Sequence, residues 1–191
     1  MGVLNPYPAD IASAPGSAIS VRLLGPGDAG LAGRLADLVN VVYEASEAGL
    51  WRDGSQRTDA GEMGAFITAG EIAIATIDDD VVGSVRVHDV AEDAGEFGIL
   101  AGDPARRGVG IGTALIAFAE DSTRERGMRA MQLELLVPRE FDHPSKVFLD
   151  AWYCRLGYRV IENRTVEQAH PQLGPLLATP CDFLLYEKPL R

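Results

Sequence analysis

Gly95 to Thr113 read Gly-Glu-Phe-Gly-Ile-Leu-Ala-Gly-Asp-Pro-Ala-Arg-Arg-Gly-Val-Gly-Ile-Gly-Thr. Within this stretch, Arg107-Gly108-Val109-Gly110-Ile111-Gly112 sets glycine at alternate positions, just where the apolar run Ile111, Leu115, Phe118, Ala119 begins. That run has the spacing of a helix. Glycines without a Cβ let a ligand reach the backbone, and the first turn of a helix offers free N–H groups at the positive end of its dipole. Together they form a site for phosphate. The pattern is not a P-loop, because no Lys-Ser or Lys-Thr follows the last glycine, and its spacing is not the G-x-G-x-x-G of a dinucleotide site.

The elements around the loop follow from periodicity. Phe97, Ile99 and Ala101 alternate with Gly98, Leu100 and Gly102, which predicts a mostly buried strand ended by Asp103-Pro104. Upstream, a strand over Ile19–Leu24 precedes a helix carrying Leu31, Leu35, Leu38, Val39 and Val42. The pattern fades from Glu44 to Arg57, and Asp59-x-x-Glu62 caps a second helix that ends at Gly70. Glu71–Ile77 and Val81–His88 flank Asp78-Asp79-Asp80 and predict an antiparallel hairpin. Beyond the glycine loop, the helix ends at Gly127 and a strand over Met131–Val137 follows; two strands joined by a helix are expected to be parallel neighbours. A last helix, Ser145–Leu156, is expected to turn Phe148, Ala151, Trp152 and Leu156 to the core, with Gly157 as its C-terminal stop. Tyr158–Ile161 and Asp182–Glu187 are final strands, and Asn163–Pro180 between them is a long excursion of the kind that often carries function.

The spacing Arg107-x-x-Gly110-x-Gly112 resembles the R/Q-x-x-G-x-G/A signature of the GCN5-related N-acetyltransferases, the GNAT family. Trp152-Tyr153-Cys154-Arg155-Leu156-Gly157-Tyr158 resembles that family's aromatic-Tyr-x-x-x-Gly-aromatic helix ending, and the order of elements is also the family's. The resemblance spans Ile19 to Leu190 and implies an α/β fold with a mixed sheet of about seven strands, antiparallel in its N-terminal part. About four helices accompany it, and a parallel pair of strands is splayed around acetyl-CoA. It implies that Leu100, Ala101 and Gly102 line the pantetheine and that the backbone of Arg107, Gly108, Val109, Gly110, Ile111, Gly112 and Thr113 holds the pyrophosphate.

The implied reaction is direct attack of an amine on the acetyl thioester, with no metal. Alkyl ammonium groups have a pKa of about 10, so a base must take a proton. Glu96 occupies the position of a base used by some members, and burial beside Phe97 and Ile99 would raise its pKa; the alternative is a strand-edge carboxylate facing solvent. His88 is a second candidate base. Tyr153 matches the family's tyrosine and is expected to protonate the leaving thiolate. Helical geometry turns it about 140° from Phe148, away from the expected core face and onto that of Lys146, Leu149 and Asp150. Many members have Asn at the position of Lys146, which here either pairs with a CoA phosphate or is solvated. Cys154 has no obvious base beside it and reads as a small buried residue.

Composition sets the outer bounds. The 191 residues are 47% hydrophobic, enough for one core, and residues 1–18 read as a flexible tail ahead of a single domain over 19–191. No run reaches the roughly 20 apolar residues of a membrane helix, and the start has no signal-peptide pattern, so a cytoplasmic protein is expected. Two cysteines and three scattered histidines give neither a disulfide framework nor a metal set. With 17 Lys and Arg against 28 Asp and Glu, the net charge of −11 argues against nucleic acid or an anionic membrane as partner. The residues up to Gly98 carry 5 Arg and 16 Asp and Glu, and this acidic half suits a cationic acceptor. The expected acceptor is a small-molecule amine or a protein amino group, and the resemblance allows a homodimer. Competing readings are a non-catalytic acyl-CoA-binding or regulatory domain and an acyltransferase for a longer acyl group.

Overall fold

The computed structural model describes residues 18–191, so the tail expected over residues 1–18 falls, except for Ala18, outside the described residues. The chain forms one seven-stranded sheet in the order β1-β2-β3-β4-β5-β7-β6. Its strands are β1 (Ser20–Leu23), β2 (Ile72–Ile77), β3 (Asp80–Asp89), β4 (Ala94–Gly102), β5 (Ala130–Pro138), β6 (Arg159–Thr165) and β7 (Cys181–Pro189). The longer helices are α1 (Ala32–Ser46), α2 (Ala60–Ala69), α3 (Ile111–Glu125) and α4 (Pro144–Arg155). All pairings are antiparallel except β4 with β5.

Local chemistry accounts for most of these elements. Asp78 and Asp79 adopt positive φ at 51° and 67°, the backbone a tight hairpin turn requires. The Asp59 carboxylate accepts the Glu62 N–H at 2.8 Å and caps α2, and Gly70 closes that helix at φ 73°. Gly157, at φ 98°, stops α4 as expected.

The sheet separates two cores. On one face α3 and α4 cover Val85, Val87, Phe97, Met131, Leu133, Leu135 and Tyr186. On the other, α1 and α2 cover Ile72, Ile74, Ile99 and Ala101. A third cluster, with Leu50, Leu136, Val166, Leu177, Cys181 and Phe183, lies under the excursion. That excursion is more ordered than its composition suggests. β6 runs on to Thr165, where a reciprocal Thr165–Gln168 capping box starts the single turn α5 (Val166–Ala169), and a 3-10 turn spans Pro171–Leu176.

Two expectations need correction. Phe97, Ile99 and Ala101 do not share a face. The β3–β4 register shifts between Ser84 and Arg86, and Ile99 sits at φ 49°, so β4 bulges and its alternation changes phase. Phe97 packs toward α3 and α4, whereas Ile99 and Ala101 pack toward α1. The core face of α4 is also rotated from the expected one. Phe148 and Val147 are exposed, and Ser145, Lys146 and Tyr153 are buried. Apolar residues surround this helix, so periodicity did not single out a face; the partners of its polar residues did.

Candidate active site

β4 and β5 pair over only three positions, Ala94 with Ala130, Gly95 with Met131 and Glu96 with Gln132. Beyond them the strands part, β4 turning through its bulge while β5 continues along β7 to Pro138. A cleft therefore opens through the sheet from Phe97 and Leu133 onward, with Glu96 at its apex. Crevices at the carboxyl ends of parallel strands are where open sheets take ligands.

The glycine loop lies at the mouth of this cleft. Gly108 and Gly110 have φ of 80° and 94°, backbone that L side chains rarely adopt. Gly110 is the N-cap of α3 and supplies no capping side chain, and the first turn of α3 holds no acidic residue. The N–H groups of Ile111, Gly112 and Thr113 are thus left for an outside acceptor. Val109 is half exposed, so the loop stands open. Arg106 is paired with Asp80 and Asp103, but Arg107 has no ion pair among the described residues. These features fit a phosphate group. Gly112 also seats α4 against α3, because a Cβ there would lie 2.9 Å from Cη2 of Trp152.

Tyr153 is buried. Its ring stacks on Trp152 at 5.3 Å and meets Phe97 of β4 and Tyr186 of β7, each at 6.0 Å, so it reaches strands on both sides of the opening. Burial raises its pKa strongly, and the nearby Tyr43, Tyr186 and Glu47 push the same way. Tyr43, on α1, lies against the backbone of Leu100. Tyr43 and Tyr153 thus stand on helices that cover opposite faces of the sheet. The neighbouring Tyr158 points elsewhere, donating to Glu120 at 2.8 Å, where Lys188 also binds.

Lys146 is neither solvated nor free to meet a phosphate. Its Nζ lies 2.5 Å from Oε1 of Glu47, both residues are buried, and Trp51 Nε1 donates to the other Glu47 oxygen. Ser145 donates to the Ser46 carbonyl, and His143 Nε2 lies 3.1 Å from the Ala48 carbonyl. The end of α1 is thereby latched to the start of α4 across the cleft.

Glu96 faces the α1 side of the sheet. Its carboxyl is pushed up to about 7, first by burial and then by the neighbouring Glu134; His170, Arg86 and Arg164 oppose the shift. The side chain is 20% exposed, which leaves a path for water, and His88 Nε2 lies 4.0 Å away. Burial, with Arg86 nearby, lowers the pKa of His88, and its Nδ1 has no hydrogen-bond partner among the described residues. Cys154 donates weakly to Asp150, whose carboxylate also accepts from Tyr186.

A recess of about 370 Å³ lies outside the cleft, beside the excursion, with Arg52, Arg139, Glu167 and Cys181 in its lining. Another, of about 160 Å³, sits between the end of β5 and the start of α4, against Val137, His143, Lys146 and Asp150. Among the described residues no His, Cys, Asp and Glu group is arranged to hold a metal ion, and no helix is long and apolar enough to cross a membrane.

The profile of the acetyltransferase (GNAT) family matches residues 38–144, from α1 to the first residue of α4. The chain belongs to the GNAT family. Similar solved structures include a ribosomal-protein-alanine N-acetyltransferase from Brucella melitensis, with a TM-score of 0.65 and 16% identity over 90% of this chain and 99% of the other. The ribosomal-protein-S18-alanine N-acetyltransferase of Escherichia coli matches with a TM-score of 0.61 and 15% identity over 91% and 94%. N-acetylglutamate synthase from Neisseria gonorrhoeae, solved with coenzyme A and N-acetyl-glutamate, matches with a TM-score of 0.62 and 19% identity over 92% of this chain and 36% of the other. At such identities the likeness concerns the GNAT fold alone. No curated protein matches by sequence.

The sequence singled out Glu96, Tyr153 and the glycine loop, and all border the cleft. It missed Tyr43, Glu134 and Arg164, counted Glu47 only within the acidic half suited to a cationic acceptor, and gave His170 no role. Glu134 carried a readable signal, a charge inside the apolar strand Met131–Val137.

Proposed function

We propose that this GNAT protein transfers the acetyl group of acetyl-CoA to a primary amine of a small molecule or of a protein, by direct attack. The observation that carries this reading is Glu96, a carboxyl pushed up to about 7 at the apex of the cleft. An ordinary glutamate, near 4.3, is a poor base for an ammonium group, whereas one near 7 is half ionised at neutral pH and far more basic. Acetyl-CoA supplies the activated acyl carbon. The amides of Ile111, Gly112 and Thr113, with Arg107, would hold its pyrophosphate, and the β4 edge from Leu100 to Gly102 would flank its pantetheine. Glu96 takes the proton from the acceptor nitrogen, directly or through water, as the C–N bond forms and the C–S bond breaks.

Tyr153 stays protonated because burial holds its pKa above the usual range, so it serves as a hydrogen-bond donor to the departing sulfur. Full proton transfer from so weak an acid to a thiolate would run uphill, so the thiolate leaves stabilised by that bond. The test is a screen for CoA thiol release over amino acids, polyamines, aminoglycosides and peptide N-termini. Release with one class supports the reading; acetyl-CoA binding without release across the set overturns it and favours a non-catalytic acyl-CoA-binding role. A longer acyl group is the second reading, favoured by the open space within 4 Å of the position a Gly98 Cβ would take. Competition between acetyl-CoA and longer acyl-CoAs separates the two.

A further inference from the structure

On the α1 side of the sheet, side chains from four separate parts of the chain meet around Glu96. His88 and Arg86 come from β3, Glu134 from β5, Arg164 from β6 and His170 from the turn after α5. Glu134 lies two residues past Gln132, the β5 partner of Glu96, so it stands where the strands begin to part and on the same face. Glu134 is held from both sides. Arg164 donates to Oε1 at 2.5 Å, and His170 Nε2 lies 2.5 Å from Oε2. The His170 ring is braced edge-on against Phe183 at 4.9 Å, and only 14% of the Glu134 side chain is exposed. Among the described residues no hydrogen bond or ion pair joins Glu134, Arg164 or His170 to the glycine loop or Tyr153, and the chemistry above leaves these three unused.

We propose that Glu134, clamped between Arg164 and His170, is a positioning residue that sets how readily Glu96 takes up a proton, so that the segment from β6 through α5 tunes the base from a distance. Resting on the reading of Glu96 as the base, this gives the excursion a part in the chemistry. A neighbouring carboxylate raises the proton affinity of Glu96, and the Arg164 guanidinium on that carboxylate holds the effect in check. Removing the carboxylate and removing one of its clamps therefore act in opposite directions, which a loss of structure would not do.

The test is a carbon-13 NMR titration of the glutamate carboxyls in the full chain, with Glu96→Gln assigning the signal. The wild-type midpoint is expected near 7. Glu134→Gln should lower it and Arg164→Gln should raise it, each by roughly one pH unit. Unmoved midpoints, or shifts of the same sign, overturn the inference. If either variant fails to fold, the wild-type Glu134 signal decides: an inflection at the Glu96 midpoint supports the coupling, and its absence overturns it. This titration needs no acceptor. Retention of acetyl transfer by Glu96→Gln would instead overturn the base assignment while leaving the measured coupling intact.

Discussion

The mouth of the cleft and its apex are built from different materials. At the mouth, the loop from Arg107 to Thr113 offers backbone amides, glycines at positive φ and one unpaired arginine. At the apex, Glu96, His88, Glu134, Arg164 and His170 offer side chains drawn together from β3, β4, β5, β6 and the excursion. On the function proposed above, a backbone site would bind what every acyl-CoA has in common, with an affinity nearly indifferent to pH. A side-chain site titrates and can be altered residue by residue. The difference means that the mouth and the apex can be disturbed separately, whereas the Glu47–Lys146 latch holds α1 to α4.

The largest expected effect is on that latch. Lys146→Ala leaves a buried carboxylate without its partner and should cost about 3–5 kcal/mol in urea unfolding, whereas replacing both Glu47 and Lys146 by apolar residues should recover much of it. Next, Glu96→Gln should lower kcat/KM for acetyl transfer by about 10²–10⁴ and abolish the limb near pH 7, without changing the Kd for acetyl-CoA. An equal loss of acetyl-CoA affinity would erase the distinction between mouth and apex.

The same variant should gain stability at high pH. Glu96 rises from 4.5 to about 7 on folding, so between those values the folded chain keeps a proton that the unfolded chain has released. Stability therefore falls as pH rises through that window and levels off above it. Removing the carboxyl should return up to about 3 kcal/mol at pH 8 and little below pH 4.5, visible as a Tm gain confined to the higher pH. Gly112→Ala drives a Cβ into the Trp152 ring and should cost roughly 1–3 kcal/mol while weakening acetyl-CoA binding, with the pH profile unmoved. Arg124→Ala, which breaks an exposed pair with Asp121 far from the cleft, should change stability by no more than about 0.5 kcal/mol and leave both sites alone.

The mouth was legible in the sequence because its chemistry is local. Three alternating glycines at the start of a helix carry their meaning within a few residues, and the loop stands where the spacing placed it. The hairpin at Asp78–Asp80 and the stop at Gly157 were readable for the same reason. The apex was legible only in Glu96 and His88. Glu134, Arg164 and His170 lie far along the chain, and their roles arise from register and from the path of the excursion, which no short window contains. The turn of α4 was misread because Lys146 is buried by a partner 99 positions away, an arrangement that hydrophobic periodicity cannot register. The bulge at Ile99 was hidden because every residue near it is apolar or glycine, so both phases of alternation looked equally well buried.

That bulge has a consequence for how the cleft is inherited. Its opening is encoded in one surplus residue, and any of several small or apolar side chains could occupy that stretch. Removing Ile99 would restore even counting along β4, let it zip against β5 past Gln132, and seal the passage between the two faces. An aligned family would therefore preserve the number of residues between Glu96 and the glycine loop more strictly than their identities.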